Sequence, residues 1–247
     1  MSETRVALIT GSSSGIGAAV ARRLAAEGMR IVVNSARSEA AGKELAASLP
    51  DAVYVQGDVA DAADARRIVQ AAIDAYGRLD VLVNNAGTTR FIPLSDLDAA
   101  DADVWRDIFD VNVIGAWQLT TAAVPHLRES GAASVVNISS VSATRAMGSS
   151  VPYAVSKAAL NHMTRLLASQ LGPEIRVNAV APGLVETPWY NGVDEVWQGS
   201  RDWITANTPM RRVGTPEDVA EAVHYLVGAA TYTTGDVLTV DGGRHIV

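Results

Sequence analysis

Short apolar, β-branched runs alternate along this chain with longer stretches of helical periodicity, a pattern that predicts strand–helix–strand units around a parallel sheet. The run at 5–9 (Arg-Val-Ala-Leu-Ile) is short and apolar enough to be a strand buried on both faces. Helical spacing of Ala18, Val20, Ala21, Leu24 and Ala25 follows at once and ends near Gly28. Further strands are predicted at 30–34, 53–57, 79–83, 134–138, 175–180 and 235–240. Between them, a helix is predicted from a Ser38 cap to about Leu49, stopped by Pro50, and another from an Asp61 cap to Gly77. Thr215-Pro216-Glu217-Asp218 combines an N-cap, a first-turn proline and first-turn acids, and starts a helix to about Leu226.

Two stretches break the rhythm. A long helical segment, about Ala102 to Leu127, contains Asn112 and Gly115. Asparagine is a weak helix former, so Asn112 is expected to bend the helix, reach a buried water, or sit satisfied at a packing face. Residues 188–210 gather Trp189, Tyr190, Trp197 and Trp203, four of the chain's 13 aromatics, at partly helical spacing. That segment reads as a lid over an apolar substrate pocket, or as a short amphipathic helix capping the core. No linker, repeat or low-complexity break interrupts 1–247, which is expected to be one domain with the lid at about 188–210.

Composition narrows the function. At 48% hydrophobic, the 247 residues can bury a sizeable core. The absence of cysteine excludes disulfides, thiolate metal sites and a cysteine nucleophile, and no metal site is expected. A net charge of −7 argues against a nucleic-acid partner. No apolar run reaches the ~18 residues of a membrane span. Met1-Ser2-Glu3-Thr4-Arg5 leads straight into a strand-like run without a signal-peptide layout, so a cytoplasmic protein is expected.

The candidate chemistry lies where strands end. Thr10-Gly11-Ser12-Ser13-Ser14-Gly15-Ile16-Gly17 stands between the first strand and its helix. Gly11 permits a tight turn, Gly15 and Gly17 allow close backbone approach, and the helix N-terminus offers N–H groups to a pyrophosphate. At the end of the second strand there is no acid to bind a ribose 2′-hydroxyl, and Arg37 is near, which leans towards NADP(H) over NAD(H). Tyr153 and Lys157 are four apart on a predicted helix, so phenol and ammonium can point at one spot. A cation beside a phenol favours the phenolate and would lower its pKa, making Tyr153 a candidate general acid/base. Lys157 is also one of only two lysines beside 18 arginines. Ser140, at the end of the fifth strand, can hydrogen-bond a carbonyl; with no accompanying Ser-His-Asp set it reads as a polariser.

Taken together, Thr10-Gly11-x-x-x-Gly15-Ile16-Gly17, Asn84-Asn85-Ala86-Gly87, Asn112, Ser140, Tyr153-x-x-x-Lys157 and Pro182-Gly183-x-x-x-Thr187 resemble the short-chain dehydrogenase/reductases over essentially the whole chain. The resemblance implies a single Rossmann-like α/β domain, a doubly wound seven-stranded parallel sheet ordered 3-2-1-4-5-6-7 with helices on both faces. It implies Tyr153 as acid/base, Lys157 on the nicotinamide ribose, Ser140 orienting the carbonyl and Asn112 anchoring a water relay. Cofactor contacts implied are Gly11, Ser13, Ser14, Gly15, Ile16 and Gly17 in the loop, Ser35 and Arg37 after the second strand, and Asp58 and Val59 at the adenine. Asn85, Ala86 and Gly87 are implied at the adenosine side and ribose, and Pro182, Gly183, Val185 and Thr187 beyond, the last two at the carboxamide. The family often forms tetramers through the long helix and the final helix and strand. Ser14 stands where many NADP-using members carry Lys or Arg, which leaves Arg37 as the main phosphate candidate. The Asn34-x-Ala36-Arg37-Ser38 run is similar to that of bacterial 3-oxoacyl-acyl-carrier-protein reductases.

The expected activity is hydride transfer between NADP(H) and a ketone or secondary alcohol, with an apolar small-molecule substrate. A carrier-bound 3-oxoacyl substrate is the alternative; Arg128 and Arg165 could face an acidic carrier, although the net charge does not favour it. A catalytically silent dinucleotide-binding sensor is the reading from another class.

Overall fold

The computed structural model describes residues 4–247; Met1, Ser2 and Glu3 of the opening segment discussed above lie outside the described residues. Seven strands form one sheet: β1 (Val6–Ile9), β2 (Arg30–Ser35), β3 (Ala52–Gln56), β4 (Val81–Asn84), β5 (Ala133–Ile138), β6 (Ile175–Pro182) and β7 (Val237–Val240). Every pairing is parallel, and the order is β3-β2-β1-β4-β5-β6-β7, as the resemblance implies.

The strands are apolar throughout because both faces are covered. In β1 the alternation of side chains sends Ala7 and Ile9 into a core with Val20 and Leu24 of α1 (Gly15–Ala26) and Val219 and Val223 of α8 (Pro216–Val227). Val6 and Leu8 point the other way, into a core with Ile68 of α3 (Ala62–Tyr76) and Leu119 and Leu127 of α5 (Ala116–Glu129). The remaining helices are α2 (Glu39–Ser48), α4 (Ala102–Phe109), α6 (Val151–Leu171) and α7 (Asp194–Asn207).

Capping sets several boundaries. The Asp61 carboxylate accepts from the N–H groups of Ala63 and Asp64, both at 2.8 Å, and Gly77 ends α3 in the left-handed region with φ 72°. Asp61→Ala is expected to cost about 1 kcal/mol, seen as a fall of ~2–4 °C in the melting midpoint by circular dichroism. At α8, Thr215 and Asp218 form the reciprocal capping box that the sequence signalled. Ser38 precedes α2 but makes no capping bond through its side chain.

The predicted long helix is not uniform. Between α4 and α5, Asp110–Gly115 forms a π-helical turn, and Asn112 lies within it, buried. The widened turn carries a polar side chain inward that a regular α-helix would have to hold against its own packing. Gly115 is small for a separate reason: a Cβ there would come within 2.8 Å of the Val59 side chain.

Candidate active site

All seven parallel strands end on the same side, so the segments that leave them converge at one edge. The strand order reverses between β1 and β4, and an open α/β sheet has its crevice at that switch point.

The glycine turn leaves β1 there. Gly11 and Gly15 are left-handed, with φ 60° and 54°. A Cβ at Gly11 would lie 2.8 Å from Ala86 Cα, and one at Gly17 would lie 2.5 Å from Asn85 Nδ2. Gly17 therefore lets the turn pack against the β4 end. Gly15 borders the crevice, where its Cβ would sit 3.3 Å from Thr187. Thr10 Oγ1 accepts from the N–H groups of Asn85 and Ala86, and Asn85 Nδ2 donates to the carbonyls of Thr10 and Gly11, which locks both segments together. Ser14 caps α1 without a side-chain hydrogen bond, and the first turn carries no acid. The helix N-terminus thus keeps its N–H groups and positive end for an anion, so the residues present fit a dinucleotide's phosphates.

Ser140 follows β5 and caps a short 3-10 turn, Val141–Ala143; its Oγ accepts from Ser142 N–H at 3.1 Å. Tyr153 lies in the first turn of α6, which Ser150 caps, and Lys157 follows one turn later on the same face. Lys157 Nζ lies 5.8 Å from the centre of the Tyr153 ring and donates to the Ile138 carbonyl at 2.8 Å. Burial dominates both groups. It pushes the phenol of Tyr153 up to about 12, against the opposing pull of the Ser140 hydroxyl. It pushes the Lys157 ammonium down to about 8. The expected lowering of the Tyr153 pKa by Lys157 is therefore reversed here: desolvation outweighs a cation directed at a backbone carbonyl.

Asn112 stands behind the pair. Its Oδ1 accepts from Thr88 N–H at 2.8 Å, and its Nδ2 donates to the Thr88 carbonyl and to Ser156 Oγ, each at 3.0 Å. This is the satisfied polar residue at a packing face; it fixes the Gly87–Thr88 segment against α6. A Cβ on Gly87 would come 3.3 Å from Asn112 Oδ1 and 3.6 Å from Lys157 Nζ, so the segment passes directly over both.

Three recesses lie along this edge. One of about 250 Å³ joins the glycine turn to Ser140, Tyr153 and Lys157 and continues past Pro182, Gly183, Val185 and Thr187. A second, about 310 Å³, shares Ser140, Tyr153, Trp189 and Tyr190 with it and extends under Phe91, Met147, Val196 and Arg244. A third, about 350 Å³, lies beyond β2 and β3 and is lined by Arg37, Asp58, Asp64 and Arg67. Arg67 is tied to the Gln56 carbonyl and to Asp64, whereas the Arg37 side chain has no hydrogen bond or ion pair among the described residues.

Of the candidate cofactor residues, Gly11, Ser14, Gly15, Ile16, Asn85, Ala86 and Gly87 line the first recess, and Ser13, Gly17, Ser35 and Val59 line none of the three. The Ser35 hydroxyl is paired with that of Tyr54 at 2.9 Å, and Val59 is buried under α5 and the π-helical turn. The sequence reading missed Phe91, Met147 and Arg244. Arg244 carried a usable signal, since it directly follows the turn that ends the last strand.

A doubly wound sheet with a glycine turn at its switch point, and a half-buried phenol beside a buried ammonium and hydroxyl on the rim, defines a dinucleotide-dependent oxidoreductase. The family model described as enoyl-(acyl carrier protein) reductase matches residues 11–245. The chain belongs to the short-chain dehydrogenase/reductase family, whose members use NAD(P) and act on keto and hydroxyl groups. It is 60% identical over 245 residues to "Granaticin polyketide synthase putative ketoacyl reductase 2" of Streptomyces violaceoruber, covering 99% of this chain and 98% of that one. It is 37% identical to the 3-oxoacyl-acyl-carrier-protein reductase FabG of Thermotoga maritima, over 99% of both chains. A crystal structure from Burkholderia xenovorans, of a chain assigned to the short-chain dehydrogenase/reductases, superposes with a TM-score of 0.92 at 37% identity and covers all of both chains. Among the described residues no helix is long and apolar enough to cross a membrane, and no cluster of three or more metal-ligating side chains occurs.

Proposed function

We propose that this chain is an NADP(H)-dependent ketoreductase in which Tyr153 passes a proton to the substrate's carbonyl oxygen. The observation that carries this reading is the shared border of the first two recesses at Ser140 and Tyr153, with the glycine turn on one side and aromatic side chains on the other. When bound, a nicotinamide dinucleotide supplies the hydride. Gly11 to Gly17, Asn85 to Gly87, Asp58, Val59, Ser35 and the Pro182–Thr187 segment are the residues that would hold it. Ser140 Oγ polarises the carbonyl. Tyr153, raised to about 12, is protonated at neutral pH, the form that reduction requires. Lys157 adds positive charge beneath the ribose site, and Asn112 positions α6 behind both.

Arg37 is the residue expected to meet a ribose 2′-phosphate, which supports NADP(H) over NAD(H). Arg37→Glu should lower kcat/KM for NADPH by about tenfold to a hundredfold and leave or raise that for NADH; equal losses with both would reject the assignment.

The chain is proposed to act as one domain, with 188–210 as the lid. Trp189 lies 6.0 Å from Tyr153 and Tyr190 lies 5.7 Å from Phe91, ring centre to ring centre, so this segment roofs the substrate recess. Exposed Ile114 and Trp117 on the long helical segment and Tyr225 on α8 support assembly of several copies, with a homotetramer the expected state by light scattering; a cytoplasmic location is part of the same proposal. A panel of ketones, 3-oxoacyl thioesters and 2-enoyl thioesters, run with NADPH and with NADH, tests the function. Consumption of cofactor with ketones or 3-oxoacyl thioesters supports it; activity confined to enoyl thioesters, or none with any carbonyl, overturns it.

A further inference from the structure

We propose that Arg244 binds a carboxylate on the substrate, so that the natural substrate is a ketone with an apolar body and an acidic end. The proposal rests on the reading of Tyr153 and Ser140 as the carbonyl site and adds what lies further along the same recess. Arg244 opens the short turn Arg244–Ile246, which follows β7 through Asp241–Gly243, and its side chain lines the recess that contains Ser140 and Tyr153. The guanidinium stands 5.4 Å from the centre of the Trp203 ring. Its Nε is buried with no hydrogen-bond partner among the described residues, and no described carboxylate forms an ion pair with it. That sets it apart from Arg23, Arg30 and Arg212, each of which meets an acid.

The acid nearest to it in sequence is already engaged. Asp241 accepts from the N–H groups of Gly243 and His245 at 2.9 and 2.7 Å, and its two oxygens meet the His245 ring at 3.0 and 3.1 Å. Burial pushes the half-buried Arg244 guanidinium below its ordinary pKa; the neighbouring Tyr190 and Asp241 oppose that shift, and the positive charge of Arg145 adds to it. Arg145 also donates to the main-chain oxygens of His245 and Val247 and so pins the Arg244 turn to the segment that leaves Ser140. A half-buried guanidinium whose Nε is shut off from water without a partner gains when a ligand supplies a hydrogen-bonding anion. A carboxylate matches that fork in shape and charge. Phe91, Met147, Trp189 and Val196 give the recess an apolar side, alongside Ser142, Ser149 and Ser200, which suits a carbon skeleton between ketone and acid.

The test compares 4-oxo-4-phenylbutanoate with its methyl ester, using the native chain, Arg244→Met and Arg244→Lys. The native chain should favour the acid over the ester in kcat/KM by about tenfold or more, carried in KM. Arg244→Met should remove that preference and leave the ester unchanged, while Arg244→Lys should restore part of it. An ester that falls together with the acid would mark a structural role and overturn the proposal, as would a native chain indifferent to the carboxylate. A parallel arm needs no turnover: 4-phenylbutanoate and 4-phenylbutanol are titrated against tryptophan fluorescence, which Trp203 should report. Acid binding that Arg244→Met abolishes supports the site even if every ketone is refused, which separates failure here from failure of the reductase reading. Equal binding of acid and alcohol overturns it.

Discussion

Tyr153→Phe is expected to lower kcat by about a hundredfold to ten-thousandfold, the range of a lost general acid. The substitution removes one hydroxyl from a half-buried ring and leaves the ring's packing on Trp189 in place. Cofactor affinity, followed by fluorescence titration of NADPH, should change little, because the glycine turn and Lys157 remain. The split is the diagnostic part: a loss in turnover with binding intact belongs to proton transfer, whereas a loss in both belongs to a damaged site. Turnover within a few-fold of native would remove Tyr153 from the chemistry. In the native chain the loss of the Tyr153 proton should depress the reduction rate only at strongly alkaline pH, since the phenol is pushed up to about 12, whereas any fall nearer pH 8 belongs to Lys157.

The second large effect is on stability. Lys157 is pushed from 10.5 down to about 8 by burial, so between those values the unfolded chain binds the proton more tightly than the folded one. Stability therefore rises with pH across that window. Below about 8 the ammonium is charged in both states and the burial cost is felt in full. Tyr153 acts in the opposite sense and higher up: with a folded value of about 12 against 10.0, it withdraws stability only as pH climbs beyond 10.0. The interval from pH 8 to 10 isolates the lysine. Over it, native stability relative to Lys157→Met should improve by on the order of 2 kcal/mol in urea melts, since each unit of pKa displacement corresponds to ~1.4 kcal/mol. A difference between the two chains that stays flat with pH would show that the ammonium is not desolvated as described.

The sheet was legible because its strands are covered on both faces and so appear as uninterrupted apolar runs, such as 5–9 and 30–34. Parallel pairing then brought Tyr153, Ser140 and the glycine turn to one edge without further information. What escaped depends on contacts between distant segments. Nothing near Gly17 announces that Asn85 will occupy the space above it, and nothing near Asn112 announces Thr88 and Ser156. The pKa of Tyr153 was read from a neighbour four residues away, whereas the recess formed by separate segments decides it. Arg244 was missed for the same reason: apart from Asp241, its surroundings are Trp203, Tyr190 and the Arg145 segment, all remote in sequence.

The π-helical turn at Asp110–Gly115 has a consequence for register. It holds one residue more than an α-helical turn, so α4 and α5 are out of phase by about 100°. Deleting a single residue there would heal the helix into one continuous rod and swing everything before it a step around the axis. Ile108 would leave the interior and Asn112 would lose its grip on Thr88. A one-residue deletion at this point would thus act at a distance, loosening the floor of the crevice while leaving every residue that lines it unchanged.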